Sequence, residues 1–298
     1  MRGRSVRRRW SVLALVATLL IGVPTSASAA SRIAFSKHGD LFTILPDGSG
    51  LRRLTQGGPR EHEPAWSPDH RRLAFIAWDR RIVVTDAKGD HRRRLFTLPR
   101  PYDEVLSLAW SPDGRWIAFA TVRYERAGAL IRDCGQIWLM GADGSDPHRI
   151  VWHEPHVTGI TWSPNGRWLA AGFEHQNMTV DCGDDRPLGI ARVRVDGTGL
   201  RSLGVPLGTD PDWSPGGRWI AYRDWRRTCH ACGEIWLVSK DGARNRPFAR
   251  PPAGEGGIRH PAWAPDGHPL AAIGEHLWIV RPGGVARRLA IHVTSVDW

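Results

Sequence analysis

The sequence predicts an all-β protein, a six-bladed β-propeller of four-stranded antiparallel blades, on three observations. A short phrase recurs five times, as Trp66-Ser67-Pro68-Asp69, Trp110-Ser111-Pro112-Asp113-Gly114, Trp162-Ser163-Pro164-Asn165-Gly166, Trp213-Ser214-Pro215-Gly216-Gly217 and Trp263-Ala264-Pro265-Asp266-Gly267. The tryptophans lie 44, 52, 51 and 50 residues apart, near the span of one four-stranded blade and beyond most helical repeats. No helix-period segment of useful length interrupts the pattern.

Each phrase reads as a β-turn. Proline presets φ at the first turn position, Asp or Asn suits the second, and glycine takes the left-handed position that returns the chain. The apolar runs that follow, such as Trp116 to Phe119, Trp168 to Ala171 and Trp219 to Tyr222, are rich in strand formers and serve as second strands. Further runs end in Gly-containing turns: Ile82 to Val84 before Lys88-Gly89, Ile137 to Met140 before Asp143-Gly144, Ile190 to Val195 before Asp196-Gly197, Ile235 to Val238 before Asp241-Gly242, and Leu277 to Val280 before Gly283-Gly284. These are third strands, each turning into a fourth.

A sixth such unit, Leu41 to Leu45 before Asp47-Gly48, has no tryptophan phrase ahead of it. The two ends supply the difference. Ile33-Ala34-Phe35 copies the second strand and Val296-Asp297-Trp298 copies the first, so one blade is split between them and closes the ring without an open sheet edge. Trp66, Trp110, Trp162, Trp213, Trp263 and Trp298 then share one structural position, where a large ring fills the wedge between sheets.

Two regions are expected: a secretory signal peptide over 1–29 and the propeller over 30–298. Arg2, Arg4, Arg7, Arg8 and Arg9 precede an apolar run from Val12 to Val23, and Ala27-Ser28-Ala29 offers a small-residue cleavage site. The address is extracellular or periplasmic, in the cell envelope, with no membrane span. The formal charge of +11 falls to +6 once five leader arginines are set aside, leaving 36 basic against 30 acidic residues. The remaining arginines are dispersed, which argues against a nucleic-acid stripe. Four cysteines in an exported chain suggest disulfides, read as Cys134-Cys182 between adjacent blades and Cys229-Cys232 as a local loop. A zinc site would want a second Cys-x-x-Cys knuckle, and a redox motif a βαβ setting; neither is present.

Trp-Ser-Pro-Asp-Gly followed by Arg-Trp-Ile-Ala-Phe, then Ile-Trp-Leu-Met and Ala-Asp-Gly-Ser, resembles the TolB-type six-bladed propeller repeat over residues 31 to 298. Departures are His70 in a glycine position, Gly216 in an Asp position, and Ala264 with Pro269 in the last repeat. The family's periplasmic protein carries an N-terminal α/β domain and propeller-bearing peptidases carry a hydrolase domain; with the apolar leader running almost directly into the first strand and no Gly-x-Ser-x-Gly elbow in the sequence, a solitary propeller is expected. The resemblance implies fold more strongly than function.

Candidate binding residues gather in the few positions expected just before each first strand: His62, Glu63, Glu104, His153, Glu154, His156, Asp210, His260 and His292. Imidazoles and carboxylates meeting at a channel mouth can bind a partner, and leave room for a divalent cation or for acid-base chemistry. No metal spacing is met, no catalytic residue is assigned and no cofactor is expected. The sequence therefore points to a monomeric, non-catalytic propeller that binds an envelope protein or polymer. A small-molecule enzyme of lactonase or lyase type is the alternative.

Overall fold

The structure, a computed structural model, describes residues 32–56, 60–102, 104–127, 130–174, 180–181, 188–224, 233–250, 257, 259–267, 270–273, 276–280, 286–291 and 293–298. All of them fall in one unit, Ser31–Trp298. The expected leader, Cys182, Cys229, Cys232, Pro269 and His292 lie outside the described residues.

Twenty-five strands follow in chain order. The first three are β1 (Ile33–Lys37), β2 (Asp40–Ile44) and β3 (Arg52–Arg53); then β4 (Glu61–Trp66), β5 (Arg72–Ala77), β6 (Arg81–Asp86) and β7 (Arg93–Thr97). After them run β8 (Glu104–Trp110), β9 (Trp116–Ala127), β10 (Leu130–Gly141) and β11 (His148–Glu154). Next are β12 (His156–Trp162), β13 (Trp168–Glu174), β14 (Val180–Asp181), β15 (Gly189–Arg194) and β16 (Arg201–Val205). The last are β17 (Gly208–Trp213), β18 (Trp219–Asp224), β19 (Glu234–Ser239), β20 (Asn245–Ala249), β21 (Arg259–Trp263), β22 (Leu270–Ile273), β23 (His276–Val280), β24 (Ala286–Ile291) and β25 (Ser295–Asp297).

These strands form antiparallel propeller sheets. Sheet 1 has the order β25-β1-β2-β3, sheet 2 β4 to β7, sheet 4 β12-β13-β15-β16, sheet 5 β17 to β20 and sheet 6 β21 to β24. Those five have the plain four-strand form. Sheet 3 corrects the expectation of four strands throughout: to its path β8-β9-β10-β11 it adds β14, which pairs with β10 in parallel through Arg132↔Val180 and Asp133↔Asp181. The cause is local, because β9 and β10 are 12 residues long where the corresponding strands elsewhere have seven or fewer. That overhang leaves backbone beyond the reach of β11, and β14 covers it.

The innermost strands touch in cyclic order, β25 to β4, β8, β12, β17, β21 and back to β25. Apolar side chains fill each junction. Trp66 packs in the cluster between sheets 1 and 2, Trp110 between 2 and 3, Trp162 between 3 and 4, Trp213 between 4 and 5, and Trp298 between 6 and 1, while Trp263 lies against the cluster between 5 and 6. A wide indole suits the wedge that opens between twisted sheets.

The Trp-Ser-Pro turns define what is called here the lower end of the innermost strands. Their chemistry repeats: Ser111 Oγ donates to Asp113 Oδ1 and accepts from Trp116 N, while Arg115 N donates to Asp113 Oδ1. The Ser111 hydroxyl is the main cause holding the Asp113 carboxyl below its usual range. His70 fills a glycine slot by adopting φ 52° itself, so the turn survives its departure from the repeat. The second turns at Gly89, Gly144, Gly197 and Gly242 meet the backbone of the preceding sheet closely. At Gly197, with φ 82°, a Cβ would stand 2.4 Å from the Ile150 carbonyl oxygen, so a side chain there meets both backbone strain and a clash.

Candidate functional site

The upper ends of the innermost strands carry the chemistry. Three residues before each phrase tryptophan stand Glu63, Ser107, Gly159, Asp210, His260 and, before Trp298, Ser295. Glu63, Asp210 and His260 have left-handed φ values of 50°, 51° and 45°. Each is followed by a proline, which has no N–H to give to a ladder. The strand register shifts at these points, between His62 and Ala65, Thr209 and Asp212, and Arg259 and Ala262. A bulge of this kind re-aims a side chain while the strand continues.

This corrects the expected placement. His62, Glu63, Glu104, His156, Asp210 and His260 lie inside innermost strands, and His153 and Glu154 end the outermost strand β11, so none belongs to a loop ahead of a first strand. The physical reason is the bulge: pairing resumes beyond the proline, and β4 reaches back to Glu61 opposite Ala77.

Glu63, Asp210 and His260 line a central cavity of about 380 Å³, together with Asp212 and Asp297. Neighbouring strands are stitched there by side chains that accept backbone N–H groups. Ser295 Oγ takes Glu63 N at 2.8 Å, Thr158 Oγ1 takes Asp210 N at 3.2 Å, Asp297 Oδ2 takes Trp66 N at 2.6 Å and Asp212 Oδ2 takes Trp263 N at 2.7 Å. Burial pushes the Asp212 carboxyl up to about 7, opposed in part by the Trp263 bond. Asp297 is raised by the same cause. Burial also raises Glu63, with His260 and His62 pulling it back. His260 Nδ1 lies 3.7 Å from Asp210 Oδ1.

A second cavity of about 940 Å³ is lined by His38, Arg60, His62, Glu63, Asp79, Glu104, Thr294 and Ser295 among others. Glu63 lines both. His62 Nε2 sits 2.9 Å from Asp79 Oδ1, and Arg60 Nη1 3.6 Å from Asp79 Oδ2. Glu154 and His156 line neither of these cavities. Glu154 and His156, close together in the sequence, are thus not what the fold brings to the channel. For His153 only the backbone is described. Among the described residues, no group of three or more His, Cys, Asp or Glu side chains is arranged to hold a metal ion, and no helix is long and apolar enough to cross a membrane.

Sequence reasoning missed Asp79, Asp212, Asp297 and Ser295. One signal was available for two of them. The slot before the phrase tryptophan holds alanine at 65, 109 and 262 and threonine at 161, so aspartate at 212 and 297 breaks the repeat. Asp79 and Ser295 carry no such mark.

Comparison with known proteins gives the same architecture. The family model described as WD domain, G-beta repeat matches residues 92–122 and 146–180. A curated relative, the uncharacterized peptidase YuxL of Bacillus subtilis, is 26% identical over 174 residues, which is 56% of this chain and 22% of that protein. The chain therefore spans about a fifth of that relative's length. Among solved structures, TolB from Acinetobacter baumannii superimposes with a TM-score of 0.66 at 16% identity, covering 90% of this chain and 66% of that one. An oligogalacturonate lyase in complex with manganese gives 0.58 at 15% identity over 85% of this chain and 71% of its own, and a gluconolactonase from Xanthomonas campestris gives 0.60 at 17% over 83% and 80%. At these identities the likeness establishes the propeller fold alone.

Proposed function

We propose that the chain is an exported propeller whose upper face binds a protein or polymer of the cell envelope without catalysing a reaction. One observation carries this reading. Glu63, Asp210 and His260 hold charged or titratable side chains at equivalent bulged positions around one channel, each in a backbone conformation that costs on the order of 1–3 kcal/mol. Ser107, Gly159 and Ser295 fill the matching positions of the other sheets. A ring shaped only by packing has no need of strained acids and an imidazole at its mouth.

The same reading takes the six sheets as six blades of one ring, closed where β25 joins β1. It is supported by the cyclic contacts of the innermost strands and by the register Ala34↔Asp297, Phe35↔Val296 and Ser36↔Ser295. In it, residues 1–29 are the export leader and the site lies outside the cytoplasm. Cys134 is disulfide-bonded, and β10 just before it pairs with β14 just before Cys182 in the sequence, which supports the Cys134-Cys182 bridge. The Cys229-Cys232 loop completes the pairing.

The test is retention of envelope components by immobilised protein spanning residues 30–298. A component retained by wild type and released by Glu63→Gln/His260→Ala supports the reading; equal retention by both removes the upper face from it. A second reading, a lactonase or lyase acting on a small molecule, is favoured by the raised Glu63 carboxyl beside His260, an arrangement suited to proton transfer. Turnover of a lactone or uronide that is lost in the same double variant would replace the binding reading with this one.

A further inference from the structure

Trp78 differs from the tryptophans of the repeat, which the sheets bury. It is 58% exposed and sits with Asp79 in the turn joining β5 to β6. Both residues have left-handed φ, 58° and 57°. Two successive left-handed residues form the tight hairpin turn that Asn-Gly ordinarily supplies, and a bulky aromatic is poorly suited to it. The ring is largely exposed, with the Arg81 guanidinium 5.9 Å from its centroid.

What holds the turn is the wall of the larger cavity. Trp78 N donates to the Arg60 carbonyl at 3.2 Å, Val105 N donates to the Asp79 carbonyl at 2.7 Å, and the Asp79 carboxylate is engaged by His62 and Arg60. Arg60, His62 and Asp79 all line that cavity, and Trp78 is the neighbour of Asp79 in the turn. The remaining wall offers carboxylate acceptors from Glu63 and Glu104, an imidazole from His38 and hydroxyls from Thr294 and Ser295. Most of the lining residues are polar or charged, with Gly39 and Val293 the exceptions. Such a mixture of donors and acceptors beside an exposed indole matches a sugar ring, whose hydroxyls hydrogen-bond at its edge and whose C–H face stacks on an aromatic plane.

We infer that this cavity is a saccharide-binding site and that Trp78 is its stacking platform. The inference rests on the upper face being the binding face, and names the chemistry of its ligand. The strained turn is then retained for the ligand at the expense of stability.

Isothermal titration calorimetry of residues 30–298 with cellotetraose, maltotetraose and chitotetraose tests it. At least one sugar should give saturable heat, and Trp78→Asn should weaken its binding roughly tenfold or more. The same variant should melt at an unchanged or higher temperature, since asparagine enters the left-handed region readily; a purely structural tryptophan would move the melting point down instead. Trp78→Phe should keep part of the affinity. Absence of saturable binding by all three sugars, or wild-type affinity in Trp78→Asn, overturns the inference. If envelope components are still released by Glu63→Gln/His260→Ala in that event, the binding face stands and only the saccharide site falls. Sugar binding that depends on Trp78, with retention indifferent to the double variant, has the reverse meaning.

Discussion

The two ends of the innermost strands are built by opposite rules. At the lower end, Ser67 with Asp69, Ser111 with Asp113 and Ser163 with Asn165 make the same hydrogen bond in three successive sheets. At the upper end, equivalent positions hold Glu, Ser, Gly, Asp, His and Ser, and half of them have left-handed φ. The lower end repeats because every sheet must turn at the same angle to meet its neighbour. The upper end has no such duty and is where residue chemistry diverges. Repetition in this chain marks structure, and the departures from it mark the candidate site.

The largest test of the comparison removes β25, which pairs with β1 and touches β4 and β21. Deleting Thr294–Trp298 takes away the partner of β1, the buried Trp298 and the acceptor of Trp66 N. Stability should fall by several kcal/mol, since loss of a buried tryptophan alone costs about 3–5 kcal/mol. An unchanged urea midpoint would show that the ring does not depend on β25.

Asp212 gives the next effect. Its folded pKa, about 7, lies above the ordinary 3.8, so between those values the folded protein binds more protons than the unfolded chain. Stability from this group is therefore full below about pH 4 and is lost as pH rises through 7. The upper bound on that loss is about 4 kcal/mol at roughly 1.4 kcal/mol per pH unit. Asp212→Asn should flatten this part of the stability-pH curve, measured by denaturation at pH 5 and pH 8. A slope identical to wild type would remove Asp212 as its source.

The smallest effect belongs to the repeated turn. Ser111→Ala loses the bonds to Asp113 and Trp116 N and should cost about 1 kcal/mol. The same change at Ser214 should cost less, because Gly216 offers no side-chain acceptor there, although Trp219 N still donates to Ser214 Oγ. Equal losses at both positions would mean that the Asp bond contributes nothing.

Much of the fold could be read before any coordinates were considered, because its causes are local. Pro and Gly at set offsets make turns, short alternating runs make strands, and the phrase tryptophan recurs wherever a wedge must be filled. The split between Ile33-Ala34-Phe35 and Val296-Asp297-Trp298 was readable for the same reason: each fragment copies a unit seen elsewhere. The 12-residue β9 and β10 and the parallel strand β14 were not, since Thr121 to Ala127 lacks the apolar signature of a strand and is held in place by pairing with a neighbour.

For the site, residue type was readable and convergence was not. Glu63, Asp210 and His260 were chosen for their chemistry, and so were Glu154 and His156, which line neither the channel nor the larger cavity. Spacing along a chain separates those groups only when the backbone is regular. Here a bulge of one residue decides which side chain enters the channel, and that bulge depends on hydrogen bonds such as Ser295 Oγ to Glu63 N, between residues 232 positions apart. The order of turns and strands is a property of neighbouring residues; the identity of the groups that meet in the cavity is a property of distant ones, and only the tertiary structure brings those together.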